Sequence, residues 1–206
     1  MTSNSTPTKT TGRTLIVYAH PYDGSFNHAV LETATSALDG AGRPYDVIDL
    51  YADGFDPRYT VEELALFSDG GTLDPLVTRY QELIKGAARL IVITPIWWND
   101  LPGMLKGFFD KVMKQKWAYD PTPSGVKGRL THIEQMLVLT TSISPTWYMR
   151  YLAGNAMGSV FLGATAKQLG IQGRRWVNFG QVGKDGEAGD RRRADHLQKV
   201  GHLVAA

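Results

Sequence analysis

Three short stretches of this 206-residue chain carry side chains whose types and spacing suit chemistry. In Ala19-His20-Pro21-Tyr22-Asp23-Gly24-Ser25-Phe26-Asn27-His28, a glycine and a serine hydroxyl stand just before a helical pattern. The glycine permits close backbone approach, and the unpaired amides at a helix start favour an anion such as a phosphate. Ser25 could equally cap the helix, and the two roles are compatible. His20 could donate to a phosphate oxygen or serve the fold alone. In Pro95-Ile96-Trp97-Trp98-Asn99 aromatic residues crowd a turn, which gives a wall for a flat ring. Leu139-Thr140-Thr141-Ser142-Ile143-Ser144-Pro145 offers amides and hydroxyls to carbonyl or nitrogen acceptors, although such residues are also ordinary turn formers.

Each stretch follows an apolar run. Ala88 to Thr94 is β-branched and nearly continuous, as in a strand buried on both faces of a parallel sheet. Thr14 to Ala19 and Gln135 to Thr141 read the same way, and Tyr45 to Leu50 and Trp176 to Gln181 complete five strands. Helical patterns lie between them: one from near Phe26, a short one over Val61 to Phe67, then Pro75 to Lys85, Gly103 to Gln115, Asn155 to Leu169 and Glu187 to Val204. In the fourth of these, Met104, Leu105, Phe108, Val112 and Met113 form an apolar stripe that reads as core. Alternation of this kind predicts an α/β fold with a doubly wound parallel sheet. Ligands of such sheets bind beyond the carboxyl ends of the strands, where all three stretches fall.

Residues 1 to 13, rich in Ser, Thr, Asn and Pro, read as a flexible N-terminal tail, and 14 to 206 as one domain. The formal charge of +2, from 22 basic and 20 acidic residues spread along the chain, argues against a nucleic-acid surface. Arg191-Arg192-Arg193, set between Asp190 and Asp195, reads as a solvated helix face. Cysteine is absent, so disulfides, thiolate metal sites and a cysteine nucleophile are excluded; no metal site is expected. No apolar stretch approaches the roughly 20 residues of a bilayer span, so no membrane insertion and a cytoplasmic location are expected.

The motifs also exclude several functions. The G-x-G-x-x-G fingerprint is missing after the first strand, and no P-loop is present. Phosphoacceptor chemistry of the response-regulator kind needs acidic residues where this chain has Ala19-His20 and Thr94-Pro95. Ser25 lies outside a G-x-S-x-G elbow and has no assignable carboxylate partner for hydrolysis. The three loops together suit a flavin, whose ring presents carbonyl and nitrogen acceptors and whose reduced form carries negative charge near N1.

In order and spacing the chain resembles the flavodoxin-like NAD(P)H:quinone oxidoreductase family, of the DT-diaphorase and potassium-efflux ancillary type. The resemblance is carried by Tyr18-Ala19-His20-Pro21 with Ser25-Phe26-Asn27, and by Asp49-Leu50-Tyr51 with Phe55-Asp56-Pro57. It continues through Pro95-Ile96-Trp97-Trp98 with Pro102-Gly103-Met104-Leu105-Lys106-Gly107, and Trp117-Ala118-Tyr119. It implies strand order 2-1-3-4-5, tightly bound FMN or FAD, NAD(P)H as co-substrate, and a quinone or other small molecule as electron acceptor. It also implies ping-pong hydride transfer and a homodimer in which Trp117, Tyr119 and the region around Tyr148 serve a partner's site. His20, Ser25, Phe26 and Asn27 are implied to hold the flavin phosphate and ribityl end. Pro95, Ile96, Trp97 and Trp98 would line the ring, and Thr140, Thr141, Ser142 and Ser144 would meet its pyrimidine side. Tyr151 takes the place of the family tyrosine that steadies the reduced flavin, while Asn155 stands where the family has histidine, and the family's glycine-rich stretch is missing. A flavodoxin-type electron carrier, or a regulatory oxidoreductase subunit of an ion-efflux system, is the alternative. Against the carrier stands a pI near 8.8, since such carriers are strongly acidic.

Overall fold

The computed structural model describes residues 12 to 206; the expected tail, but for Gly12 and Arg13, lies outside the described residues. The first strand begins at Arg13, one residue earlier than the sequence reading placed it. The strands are β1 (Arg13–Tyr18), β2 (Tyr45–Asp49), β3 (Ala87–Pro95), β4 (Tyr119–Thr122), β5 (Gly125–Gly128), β6 (Gln135–Ser142) and β7 (Arg174–Gly180). The helices are α1 (Phe26–Gly40), α2 (Val61–Ala65), α3 (Pro75–Lys85), α4 (Gly103–Val112), α5 (Thr146–Tyr151) and α6 (Glu187–Ala205), with a π-helix at Ala156–Ala166. The main sheet is parallel in the order β2-β1-β3-β6-β7, which is the doubly wound order 2-1-3-4-5 once the small β4-β5 hairpin is set aside.

Alternation along each strand builds two apolar layers. Leu15, Val17, Leu90, Val92, Met136 and Val138 face α3, α4 and the π-helix. Ile16, Tyr18, Ile91, Ile93, Leu137 and Leu139 face α1 and α6. Helix α1 buries Asn27, Val30, Ala34 and Leu38, a 3.6-residue stripe, and ends at Gly42 in the left-handed conformation (φ 62°). One charge breaks the apolar run of β3: Arg89 is buried and donates to the Leu203 and Val204 carbonyls, capping the negative end of α6.

Three features differ from the sequence reading. A regular helix is expected from Asn155 to Leu169, but the chain winds as a π-helix, begun by Asn155 in a left-handed conformation (φ 50°). A Cβ on Gly163 would stand 2.9 Å from the Gly158 carbonyl oxygen five residues back, so the wide turn needs glycine there. The antiparallel β4-β5 hairpin and the short helix α5 were not anticipated. The hairpin is polar and contains proline, so it carries no alternating apolar signal. Among the described residues no helix is long and apolar enough to cross a membrane.

Candidate active site

The ends of β1, β3 and β6 bring the three loops to one edge of the sheet. Ser25 caps α1: its Oγ accepts the His28 amide at 3.1 Å, which leaves the amides of Phe26 and Asn27 unpaired at the helix start. Ser25 therefore caps the helix and still leaves two amides free for an anion. His20 accepts the Tyr22 amide on Nδ1 at 3.2 Å, so the neutral ring carries its proton on Nε2. Burial keeps its pKa below the usual value, so it is a neutral donor at physiological pH. Its ring meets Trp97 edge-on at 6.3 Å, joining the first loop to the second.

Phe26 contributes differently from its neighbours. Its ring packs on Phe179 at 4.7 Å and His196 at 6.0 Å, between α1 and α6, so only its backbone belongs to the site. Asn27 is buried, and its Nδ2 donates to Thr141 Oγ1 at 2.9 Å, tying the start of α1 to the end of β6. Its Oδ1 has no partner. A buried, unpaired carbonyl costs about 1 to 3 kcal/mol, and a ligand hydroxyl donating to it would recover that loss.

The second loop is a two-residue turn. Trp97 and Asp100 exchange backbone bonds of 3.0 and 3.1 Å, and Trp98 and Asn99 between them have φ of 49° and 66°. Asn tolerates this conformation; Trp does not, and Trp98 is fully exposed, so nothing in the chain repays the strain. Pro95 and Ile96 are buried at the end of β3, where the Ile96 amide bonds the Thr141 carbonyl at 2.8 Å. Ile96, Trp97, Trp98 and Asn99 face Ser142, Ile143, Ser144, Tyr148 and Met149 across a cleft of about 560 Å³.

In the third loop two of the four hydroxyls offered to a ligand by the sequence are turned into the fold. Thr140 Oγ1 donates to Asn178 Oδ1 and accepts Trp176 Nε1, both at 2.8 Å. Ser142 Oγ donates to the Ser144 carbonyl at 2.8 Å. These protons are committed inside the fold, whereas Ile143 and Ser144 keep unpaired amides. Tyr151 is 78% exposed and does not line the cleft; Tyr148 does. Asn155 bonds Ser159 in its own helix at 3.2 Å. The sequence reading assigned the region around Tyr148 to a partner's site, whereas Tyr148 lines this chain's own cleft; Asn178 was missed, and a polar Asn within Trp176-Val177-Asn178-Phe179 was the available signal.

A second cavity of about 450 Å³ lies beside α4 and the π-helix, lined largely by apolar side chains including Leu64, Phe67, Leu101, Phe109, Met113 and Phe161.

A nucleotide-type cradle at the first loop and a flat cleft at the carboxyl edge define a flavodoxin-like protein, and the family comparison agrees. Residues 12–204 match the family described as having a flavodoxin-like fold, and the chain belongs to it. Within that fold its similarity runs to quinone oxidoreductases. It is 31% identical to rat NAD(P)H dehydrogenase [quinone] 1 over 153 residues, covering 66% of this chain and 56% of that protein, so it spans little more than half the length of that relative. Human ribosyldihydronicotinamide dehydrogenase [quinone] is 29% identical over 154 residues, 67% of each chain. The solved NAD(P)H:quinone oxidoreductase from Methanothermobacter marburgensis is 28% identical with a TM-score of 0.82, covering 95% of this chain and 96% of that one.

Proposed function

We propose that this protein is a flavin-dependent oxidoreductase that carries two electrons from NAD(P)H to a quinone or similar small acceptor. The observation that carries the reading is the buried, unpaired Oδ1 of Asn27 beside the free amides of α1, tied through Thr141 to the strand end that borders an aromatic-walled cleft. A phosphate on the helix start and a hydroxylated chain on Asn27 are what a flavin presents there, so the residues fit FMN or FAD. When bound, the flavin supplies reversible hydride acceptance at one ring face.

The chain's part is to bind and orient. The Phe26 and Asn27 amides, the Ser25 hydroxyl and the His20 Nε2 proton would hold the phosphate. Ile96 and the Trp97–Trp98 turn would wall the ring, and the Ile143 and Ser144 amides would meet its acceptors. Tyr148, which lines the cleft where Tyr151 does not, would be the proton donor. On this reading NAD(P)H and the acceptor use the one cleft in turn, which would give ping-pong kinetics.

The apolar groove beside α4 belongs on this reading to a second copy in a cytoplasmic homodimer, with Tyr119, which lines the groove, near the partner's cleft. Sedimentation at the 22.7 kDa of one chain would remove the dimer. The test of function is to release and weigh the cofactor of purified protein, then follow NADH and NADPH oxidation with a panel of quinones. A protein that binds neither FMN nor FAD, and leaves both nicotinamides unoxidised, refutes it.

A further inference from the structure

Asn178 lies outside the cleft, yet every polar atom of its side chain is spent on the loop that borders it. It stands on β7 directly opposite Thr140 of β6. Its Oδ1 accepts from Thr140 at 2.8 Å, and its Nδ2 donates to Ser142 Oγ at 2.9 Å and to Thr146 Oγ1 at 3.0 Å. An asparagine amide has one carbonyl and two N–H bonds, so all are used. The polarity runs one way on each side: Trp176 to Thr140 to Asn178, then Asn178 to Ser142 to the Ser144 carbonyl. Two further contacts press the loop on β7. The Val182 amide bonds the Ser142 carbonyl at 3.1 Å, and a Cβ on Gly180 would stand 2.7 Å from the Thr146 amide nitrogen.

From this network we infer that Asn178 is a positioning residue which aims the Ile143 and Ser144 amides into the cleft. Through them it sets how much more tightly the site holds reduced than oxidised flavin. The inference rests on the flavin reading above and adds a residue that touches no reactant. The chemistry follows from donor accounting. With the Thr140 and Ser142 hydroxyl protons turned inward, the donors left on this rim are the Ile143 and Ser144 amides and the Ser144 hydroxyl, and their direction depends on the side chains that Asn178 fixes. A donor meeting negative charge is worth more than one meeting a neutral oxygen, so misaiming them weakens the reduced complex more than the oxidised one.

The test uses flavin-loaded protein and three variants. Asn178→Leu removes the hub; Asn178→Asp keeps its shape and the Thr140 acceptor but withdraws both donors. Thr146→Val removes one loop contact and leaves β7 intact, which keeps the test open if the Asn178 variants fold poorly. Affinity for oxidised FMN is read from fluorescence quenching, and the two-electron midpoint potential from equilibration with dyes. We expect both Asn178 variants to lose about tenfold in reduced relative to oxidised affinity, a fall of about 30 mV, with Thr146→Val moving the same way by less. Thermal unfolding midpoints report packing separately. Potentials equal to wild type in both foldable Asn178 variants, or in Thr146→Val should neither fold, overturn the inference. A wild-type protein that binds no FMN removes the flavin reading itself, and this inference with it.

Discussion

The segment between α2 and α3 is held to α4 by an ion pair buried from water, and removing half of it should be costly. Lys114 is fully buried just beyond α4; its Nζ donates to Glu63 and to the Gly71 carbonyl at 2.6 Å. Glu63, 4% exposed, also accepts the Thr72 hydroxyl at 2.5 Å and the Leu73 amide at 2.7 Å. Lys114→Met keeps the length of the side chain and leaves the carboxylate buried with two neutral donors. Breaking one partner of such a pair costs about 3 to 5 kcal/mol. For a chain of this size that lowers the thermal midpoint by roughly 6 to 20 °C. Urea unfolding should show a lower midpoint at unchanged slope. The double variant Glu63→Leu with Lys114→Met, apolar on both sides, should recover most of the loss, because no charge is then stranded.

The pH dependence gives the sharper reading. Burial pushes the Glu63 carboxyl up, but the bonds from Lys114, Thr72 and the Leu73 amide outweigh it and bring the pKa below the ordinary glutamate value. A depressed folded value means a contribution complete above the ordinary range and lost as pH falls through the folded pKa. In Lys114→Met the largest opposing bond is gone while burial remains, so the Glu63 pKa should rise and the stability lost toward acid should shrink. A single variant that loses under about 1 kcal/mol, or keeps a pH slope as steep as wild type, refutes this account of the pair.

Four further outcomes follow from the site. Burial between Phe26 and Phe179, then the nearby Lys199 charge, holds the His196 pKa at about 4. Its folded value lies below its unfolded one, so about 3 kcal/mol of stability should disappear between roughly pH 6.5 and 4, and His196→Leu should flatten that slope in acid titrations of unfolding. Tyr148→Phe should lower kcat/KM for quinone reduction about 10- to 100-fold while Tyr151→Phe stays within about twofold; the reverse order in steady-state assays would return the role to Tyr151. Thr141→Val, which strips Asn27 of its partner, should weaken FMN binding about 5- to 10-fold by fluorescence titration. Trp98→Gly should stabilise the chain by about 1 kcal/mol in chemical denaturation, since it relieves a left-handed tryptophan and exposes no new apolar surface.

The sheet was legible because its signals are local. Continuous β-branched runs such as Leu90 to Ile93 say that a strand is covered on both faces, and the helical stretches between them leave few ways to connect parallel strands. The first loop was legible for the same reason: Ser25 caps the helix it precedes, and capping is a matter of three residues. The hairpin Tyr119–Gly128 was not, since a polar strand with proline is recognised by its pairing partner and by nothing in its own pattern. The π-helix brings the position of a Gly163 Cβ within 2.9 Å of the carbonyl oxygen five residues back, a contact that neither strand nor α-helix templates detect.

The third loop marks the limit most clearly. Thr140, Thr141 and Ser142 look alike in sequence, three hydroxyls at the end of a strand. Alternation sends Thr141 toward α1, where it meets Asn27, and Thr140 and Ser142 to the other face, where Asn178 takes both. Nothing within the loop distinguishes these fates. They are decided by β7, which enters the sheet more than thirty residues later and whose register sets Asn178 opposite Thr140. A reading by residue type therefore finds the segment that borders the cleft but cannot sort its atoms: the Thr140 and Ser142 hydroxyls satisfy the fold, and the Ile143 and Ser144 amides with the Ser144 hydroxyl stay on the rim. The same reasoning carries to the first loop, where the Phe26 ring was absorbed by Phe179 and His196 and only its amide stayed with the site. In both places a side chain chosen for chemistry serves to fix the direction of a backbone donor, so substitutions that spare the cleft residues but loosen β7 should be as damaging to flavin binding as those made in the cleft itself.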